Sequence, residues 1–317
     1  MRITLGDGLT VETGEGRFRI DSRRMREGEA HCLTHAHSDH LPSKVGDGRV
    51  ICSPATLDCA NVRLRGRLSR VDHDGVEMLP SGHTVGSMMF RIGDTLCTGD
   101  LSTRDRLGIE GARPVPVESL VIETTFGTPR HVMPPTDEVL ASLRDWVEDT
   151  MSQGHPAIVY AYSLGKAQEV VRLLADHRPY LHGPVMRMTE VVSRHYDGMD
   201  WREYDQDAVE PPFAMVYAPP RGSSPTMGHW RRRGARVAAV SGWAVDPSRR
   251  YMMRTDAAFP LSDHADFEDL LSFVRGCDPS VVYTVHGHVD RFAAEVRSRL
   301  GIEAVPLREG RPNLLQF

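Results

Sequence analysis

Short runs of apolar and β-branched residues alternate with polar glycine turns at the start of the chain. Two such turns, at 6–8 and 14–16, divide residues 3–20 into segments typical of antiparallel strands joined by tight turns. A further hairpin is predicted around 93–94, between the apolar runs 88–90 and 96–98. The first part of the chain is therefore predicted to be rich in β-structure.

The pattern changes to a helical period after residue 130. Apolar residues recur at helical spacing over 139–151, between Thr136, which is predicted to cap the helix, and Gly154, which is predicted to end it. Strand and helix patterns then alternate, with strands at 157–160, 213–217, 237–240, 257–261 and 281–285 and helices at 167–174, 267–274 and 292–300. This alternation predicts a layered α/β arrangement.

Composition sets broad limits on function. The chain has 317 residues, of which 40% are hydrophobic and 26% charged, and this profile fits one large or two ordinary globular domains rather than a disordered or fibrous protein. The formal net charge of −5 excludes a general polyanion binder, so any contact with nucleic acid needs local basic patches.

The sequence also predicts the cellular location of the protein and the redox state of its cysteines. No apolar run approaches the ~18 residues that a membrane span needs, and the first residues do not resemble a signal peptide, so we expect a cytoplasmic protein without a membrane partner. The five cysteines contain no C-x-x-C pair, which favours buried, reduced thiols over a disulfide framework.

Four potential metal ligands lie within six residues. His35 and His37 are two apart in an extended segment and point the same way, whereas Asp39 and His40 lie on the following turn and reach a second point. Two pairs of ligands from one loop suit a binuclear site. Imidazole and carboxylate without thiolate suit Zn²⁺, or Mn²⁺ and Fe²⁺, in a hydrolytic role.

Two later residues are candidates for the same site. His83 lies between two glycines in a tight loop, and Asp100 follows an apolar strand. Each is a weak signal alone, because such residues are common in turns. In this order after the first cluster, they strengthen the prediction of a metal site.

This succession of ligands resembles the metallo-β-lactamase superfamily. The resemblance implies an α/β fold, a four-layer αββα sandwich, with two divalent metal ions at one edge, zinc in the first place and manganese as an alternative. It implies that His35, His37 and His83 hold one metal, that Asp39 and His40 hold the other, and that Asp100 bridges the two. Asp39 is also implied to take part in catalysis.

Further segments resemble the β-CASP nuclease branch of that superfamily. They are Ile122-Glu123-Thr124-Thr125-Phe126-Gly127, Leu261-Ser262-Asp263-His264-Ala265-Asp266-Phe267 and Val285-His286-Gly287-His288, with landmarks of an inserted domain at 162–168 and 240–243. The resemblance is strongest to compact members called ligase-associated DNA exonucleases or mRNA 3′-end processing factor-like proteins. It implies a metallo-β-lactamase domain at 1–127 and 256–317, with an inserted α/β β-CASP domain at 128–255.

The β-CASP resemblance also assigns roles. His264 would be the general acid, with Glu123 orienting it, and His286 would complete the second metal site, ahead of its neighbour His288. Ser163, Lys166 and Ser262 are implied to bind substrate phosphate.

The predicted activity is two-metal hydrolysis of phosphodiester bonds, as a DNA exonuclease in repair. Single-stranded or frayed ends are the expected substrate, with DNA ligase or repair factors as possible protein partners. The alternatives are an RNA-processing nuclease and a small-molecule metallo-hydrolase. A basic channel for nucleic acid is predicted from three arginine-rich segments, at 63–70, 230–233 and 249–251.

Overall fold

A four-stranded sheet forms the start of the chain in the computed structural model, which describes residues 1–14, 16–220, 222–246, 248, 252 and 254–309. Its strands, in spatial order, are β1 (Arg2–Gly6), β2 (Gly8–Thr13), β3 (Gly16–Ile20) and β4 (Ala30–Cys32). The first three are antiparallel, and β4 runs parallel to β3. Gly8 closes the first turn at a φ of +88°, a conformation that glycine adopts without strain.

A short strand pair and a six-stranded sheet follow. The pair is β5 (Arg49–Val50) and β6 (Ser69–Arg70), and the sheet has the order β18 (Glu303–Pro306), β17 (Val281–Gly287), β10 (Ser119–Thr124), β9 (Thr95–Cys97), β8 (Met88–Ile92), β7 (Glu77–Pro80). Strands β9, β10, β17 and β18 are parallel. The predicted hairpin between β8 and β9 is confirmed.

The side chains of the six-stranded sheet alternate between two cores. Val121 and Val285 share one core with Val11 and Phe18 of the four-stranded sheet, so the two sheets pack face to face. Leu120, Ile122 and Val282 point the opposite way, into a core with the last two helices. The α-helices among the described residues are α1 (Pro54–Leu64), α2 (Thr136–Ser152), α3 (Lys166–Leu173), α4 (Pro184–Val192), α5 (Pro225–Arg232), α6 (Phe267–Cys277) and α7 (Val289–Leu300).

A second six-stranded sheet is wholly parallel. Its strands, in spatial order, are β13 (Arg202–Glu203), β12 (Tyr180–Leu181), β14 (Ala214–Tyr217), β11 (Ala157–Tyr160), β15 (Arg236–Val240) and β16 (Ala257–Phe259). Helix α2 is confirmed, but Thr136 is its first residue and Pro135 occupies the N-cap without a side-chain hydrogen bond. The predicted mixture of helices and strands is thus confirmed, and the fold is α/β.

The described residues divide into two compact units. The first comprises 1–105, 109–132 and the chain from 264 onward, and the second comprises 106–108 and 133–263. The predicted insert spans 128–255, and the strand at 257–259 pairs within the sheet of the second unit. Among the residues described, no helix combines the length and apolar character required to cross a membrane.

Candidate metal centre

The predicted ligands lie at strand ends of the first unit. Parallel strands β9, β10 and β17 end at the same edge of their sheet. Glu123 lies in β10 and His286 lies in β17, and Asp100 follows the end of β9. The loop after β4 carries the histidines of residues 35–40, and His83 follows β7. The topology therefore brings together residues that are far apart in sequence.

Three histidines surround Asp100 on one side. His35, His37, His83 and Asp100 each offer one ligand atom, and these atoms all lie within 4.8 Å of one another. The Nε2 atoms of His35 and His83 lie 3.5 and 3.6 Å from the same Asp100 oxygen, Oδ2. Four donors at this spacing can coordinate one cation.

A second group shares the same carboxylate. His40, Asp100 and His286 also offer ligand atoms within 4.8 Å of one another, and His40 Nε2 lies 3.6 Å from Asp100 Oδ2. His286 has a φ of +52°, which is strained for a residue with a Cβ, and its carbonyl accepts a hydrogen bond from the Thr124 hydroxyl. Such strain is characteristic of functional sites.

Asp39 lies at the edge of this arrangement. Its Oδ2 is 3.8 Å from His40 Nε2, but its side chain is 79% exposed and belongs to neither ligand group. The structure therefore brings six of the seven predicted metal ligands together and leaves Asp39 beside them.

The donors fit a divalent cation. Within the described part of the chain, the buried Nε2 of His35 has no hydrogen-bond partner, and an unsatisfied buried nitrogen is costly unless another ligand satisfies it. Burial, followed by the neighbouring histidines, holds the pKa of His35 well below its usual value, so this imidazole is neutral as coordination requires. Burial opposes ionisation of Asp100, but the surrounding histidines lower its pKa, so it is a carboxylate.

The sequence analysis missed Asp21, which orients two of these histidines. Its Oδ2 accepts hydrogen bonds from His40 Nδ1 at 2.7 Å and from the Thr34 hydroxyl at 2.6 Å. The Thr34 oxygen in turn accepts from His35 Nδ1 at 3.0 Å. One carboxylate thus fixes both rings with Nε2 facing Asp100, an arrangement common behind metal-binding histidines. Burial lowers the pKa of His40, but Asp100 and Asp21 outweigh it and raise that pKa to about 10, so a cation bound at His40 Nε2 would displace a proton.

Replacement of Asp21 by asparagine should weaken metal binding. We expect Asp21→Asn to lower metal affinity about 10- to 100-fold, because the amide is a poorer acceptor from His40 and Thr34. Asparagine tolerates the φ of +51° at this position, so the backbone is preserved. Titration against a chromophoric chelator measures the effect, with the exposed Asp47→Asn as control; equal affinities for the two variants would refute this role of Asp21.

Glu123 and His264 form a second carboxylate–histidine pair. Glu123 is fully buried, and its Oε1 accepts from Leu101 N at 2.7 Å and from His264 Nδ1 at 2.8 Å. An ionised carboxylate can only accept, so the proton of the neutral imidazole lies on Nδ1. His264 Nε2 therefore faces Asp100 Oδ2, at 4.0 Å.

Comparison with known proteins finds one family model and several relatives that match this chain. A family model described as "RMMBL: Zn-dependent metallo-hydrolase RNA specificity domain" matches residues 253–306, which include His264 and His286. The chain is 33% identical over 298 residues to a probable DNA ligase of Opitutus terrae, an alignment that covers 87% of this chain and 28% of that protein. It is 30% identical over 124 residues to cleavage and polyadenylation specificity factor subunit 3 of Dictyostelium discoideum, covering 36% of this chain and 16% of that protein.

An archaeal relative is aligned over most of the chain. RNase aCSPSF2 of Saccharolobus solfataricus is 24% identical over 267 residues, covering 80% of this chain and 51% of that protein. Together these matches indicate the β-CASP nuclease branch of the metallo-β-lactamase superfamily. The chain corresponds to only a part of each of these relatives.

One solved structure supports the fold alone. A protein of unknown function from Enterococcus faecalis V583 matches this β-CASP chain with a TM-score of 0.64 at 12% identity. The alignment covers 98% of this chain and 97% of that chain.

His288 lies apart from both ligand groups of this β-CASP protein. Its ring packs against that of His131, with 5.4 Å between the ring centroids. Burial lowers its pKa, with a further contribution from Arg130. His286, the preferred candidate of the two, is the one that shares a group with Asp100.

The predicted phosphate-binding residues lie in the second unit. Lys166 is buried and forms an ion pair with buried Asp263, so its charge is neutralised within the fold. The Ser163 carbonyl accepts a hydrogen bond from the Gln168 side chain at 3.1 Å, and Ser262 is half-buried. The pair with Asp263 gives Lys166 a structural role.

Loss of the Lys166 charge should destabilise the protein. We expect Lys166→Met to lower the free energy of unfolding by about 3–5 kcal/mol, because it removes the cation that is paired with the buried Asp263 carboxylate. Urea unfolding measures the change. The matched control is Lys44→Met at the exposed second lysine of the chain, which should cost less than about 0.5 kcal/mol. An unchanged unfolding energy together with a raised KM would instead favour the phosphate-binding role.

Part of the predicted basic channel is paired or buried within the protein. Trp230 is fully buried and donates to the Tyr204 hydroxyl at 2.7 Å, so it offers no face to nucleic acid. The neighbouring arginines 231 and 233 and the more distant arginine 70 pair with carboxylates, those of Asp256, Glu210 and Asp72. The segment 249–251 lies outside the described residues.

Proposed function

We propose that this β-CASP protein is a nuclease that hydrolyses phosphodiester bonds with two divalent metal ions, and that its substrate is DNA. One observation carries the proposal: a single oxygen of Asp100 lies within 3.6 Å of His35, His40 and His83, so two ligand groups share one carboxylate. We further propose that the first unit is the αββα sandwich and the second the inserted β-CASP domain.

Two sets of residues would hold the metal ions, which are zinc by preference and manganese as an alternative. His35, His37 and His83 would hold one, His40 and His286 the other, and Asp100 would contact both. When bound, such ions neutralise phosphate charge and lower the pKa of a water molecule.

The residues of the chain supply the rest of the chemistry. His264 holds a proton at Nδ1 through Glu123, so a second proton on Nε2 faces the centre and is available to the leaving oxygen. Glu123 stabilises the charged imidazole, since it is an anion hydrogen-bonded to it. Asp21 and Thr34 hold His35 and His40 in their tautomers throughout the cycle.

The relative from Opitutus terrae supports DNA as substrate. That protein is named as a probable DNA ligase, and the alignment covers 87% of this chain. We propose an exonuclease that acts on single-stranded or frayed DNA ends in repair, with a DNA ligase or another repair factor as partner. The cytoplasmic location stays a prediction from the sequence.

RNA processing is the second candidate. The matching family model is described as an RNA specificity domain, and two relatives are named as an RNase and as a cleavage and polyadenylation factor subunit. A small-molecule hydrolase is less favoured, because it leaves the second unit and the Glu123–His264 pair without a role.

End-labelled oligonucleotides distinguish these candidates. We expect the protein with Zn²⁺ or Mn²⁺ to shorten single-stranded DNA stepwise from one end and to lose this activity with chelator. Faster shortening of RNA of the same sequence would favour RNA processing. No cleavage of either polymer at any metal concentration would contradict the nuclease proposal.

A further inference from the structure

An exposed pair of like charges lies close in sequence to the metal ligands. Arg24 and Lys44 are bridge partners on two parallel segments, and both side chains are exposed. We call these two residues the basic pair. Arg24 follows Asp21 by three residues and Lys44 follows His40 by four, so each Cα lies within about 15 Å of a residue of the metal centre.

The backbone around the basic pair is fixed by hydrogen bonds. Ser43 N and Lys44 N donate to the Arg23 carbonyl at 2.9 and 3.1 Å, and Met25 N donates to the Lys44 carbonyl at 2.9 Å. Met25 is buried beneath the pair. The backbones of the two residues are therefore held opposite each other by the fold.

The same segment contacts the ligand loop directly. Arg23 Nη1 donates to the carbonyl of Asp39 at 3.1 Å, and Asp39 immediately precedes the metal-ligand candidate His40. The basic pair thus lies on a rigid segment that is connected to the centre by hydrogen bonds as well as by sequence.

The charges of the basic pair are not compensated. Like charges on directly opposed strand positions are destabilising. Some exposed arginines of this unit pair with carboxylates, as Arg113 does with Asp105 and Arg308 with Asp290. Throughout the described ranges, neither Arg24 nor Lys44 has a carboxylate within ion-pair distance. An arrangement that costs stability without an internal partner is the arrangement expected of an anion site.

We propose that the basic pair binds the phosphate backbone of the nucleic acid on its approach to the metal centre. The proposal rests on the proposed nuclease function and adds to it the face along which the strand enters. Two adjacent cations suit successive phosphates of one strand, and contacts of this kind position the strand without reading its sequence. The predicted arginine-rich segments did not include this pair.

Salt dependence of binding tests the proposal. For the metal-loaded protein in an uncleaving His264→Ala background, we expect Arg24→Ala/Lys44→Ala to flatten the slope of log K against log salt by about 1.4, which is two phosphates at roughly 0.7 each for single strands. The matched control Arg2→Ala/Arg275→Ala removes the same charge at exposed arginines of the same unit and should leave the slope unchanged. Equal slopes for the two double variants would overturn the proposal.

Amine labelling provides a test that does not depend on catalysis. The chain contains two lysines, and Lys166 is buried in its ion pair, so Lys44 is the lysine open to an amine-reactive reagent. We expect a saturating single-stranded oligonucleotide to slow labelling of Lys44 several-fold and to spare the α-amino group of Met1. Unchanged labelling of Lys44 in a sample whose bound oligonucleotide is verified by anisotropy would refute the proposal.

The two proposals fail in different ways. Normal cleavage by the parent protein with unchanged slope and labelling would remove the basic pair and leave the nuclease intact. Absence of both binding and cleavage by the parent protein would remove the nuclease proposal, and the basic pair with it.

Discussion

Asp100→Asn should reduce nuclease activity by about 10³-fold or more. Asp100 is the one carboxylate that both ligand groups share, and its Oδ2 lies within 4.0 Å of His35, His40, His83 and His264. Asparagine has the same shape but no charge, so the nitrogen ligands remain while the anion between them is lost. The substitution would therefore disturb the charge balance of both proposed metal positions at once.

Metal content separates this explanation from a general defect. We expect Asp100→Asn to bind less metal by elemental analysis after dialysis while its circular dichroism spectrum stays that of the parent. The exposed Asp290→Asn should keep both metal and activity. Full activity in Asp100→Asn would contradict the shared-carboxylate mechanism.

His264→Ala should lower kcat about 10²- to 10⁴-fold while metal content is retained. His264 belongs to neither of the two ligand groups, which are His35, His37, His83 and Asp100 on one side and His40, Asp100 and His286 on the other. Glu123 holds His264 with Nε2 toward the centre. A matched metal content in parent and variant, measured by elemental analysis, would place the defect in the chemical step. A variant that loses metal in proportion to activity would make His264 a ligand rather than an acid.

Part of the metal site could be predicted because its signal is local: His35, His37 and His40 lie within six residues. His83 and Asp100 are weak signals alone, and the resemblance to the metallo-β-lactamase superfamily joined them to this cluster. Parallel pairing of β9, β10 and β17 then explains why Glu123 and His286 reach the same edge.

Other features depend on pairing that no local pattern reveals. Asp21 is one acidic residue after a strand, and it becomes important only because β3 lies beside β4 and thereby meets Thr34 and His40. Trp230 is part of an arginine-rich segment, yet it packs in the core of the second six-stranded sheet. Tertiary packing decides such cases, since an aromatic residue beside arginines looks the same in a core and at a surface.

The basic pair could not be predicted from a local sequence pattern either. Arg24 and Lys44 are twenty residues apart and belong to no motif, so only the bridge between their segments makes them a feature. Asp39 shows the reverse, because it belongs to the strongest motif of the chain and yet lies largely in solvent.

Anomalous diffraction from crystals of the zinc-loaded protein tests the central claim most directly. The account predicts two zinc peaks on either side of Asp100, one contacted by His35, His37 and His83 and the other by His40 and His286. A single peak that does not contact Asp100, or zinc bound only at other residues, would contradict it.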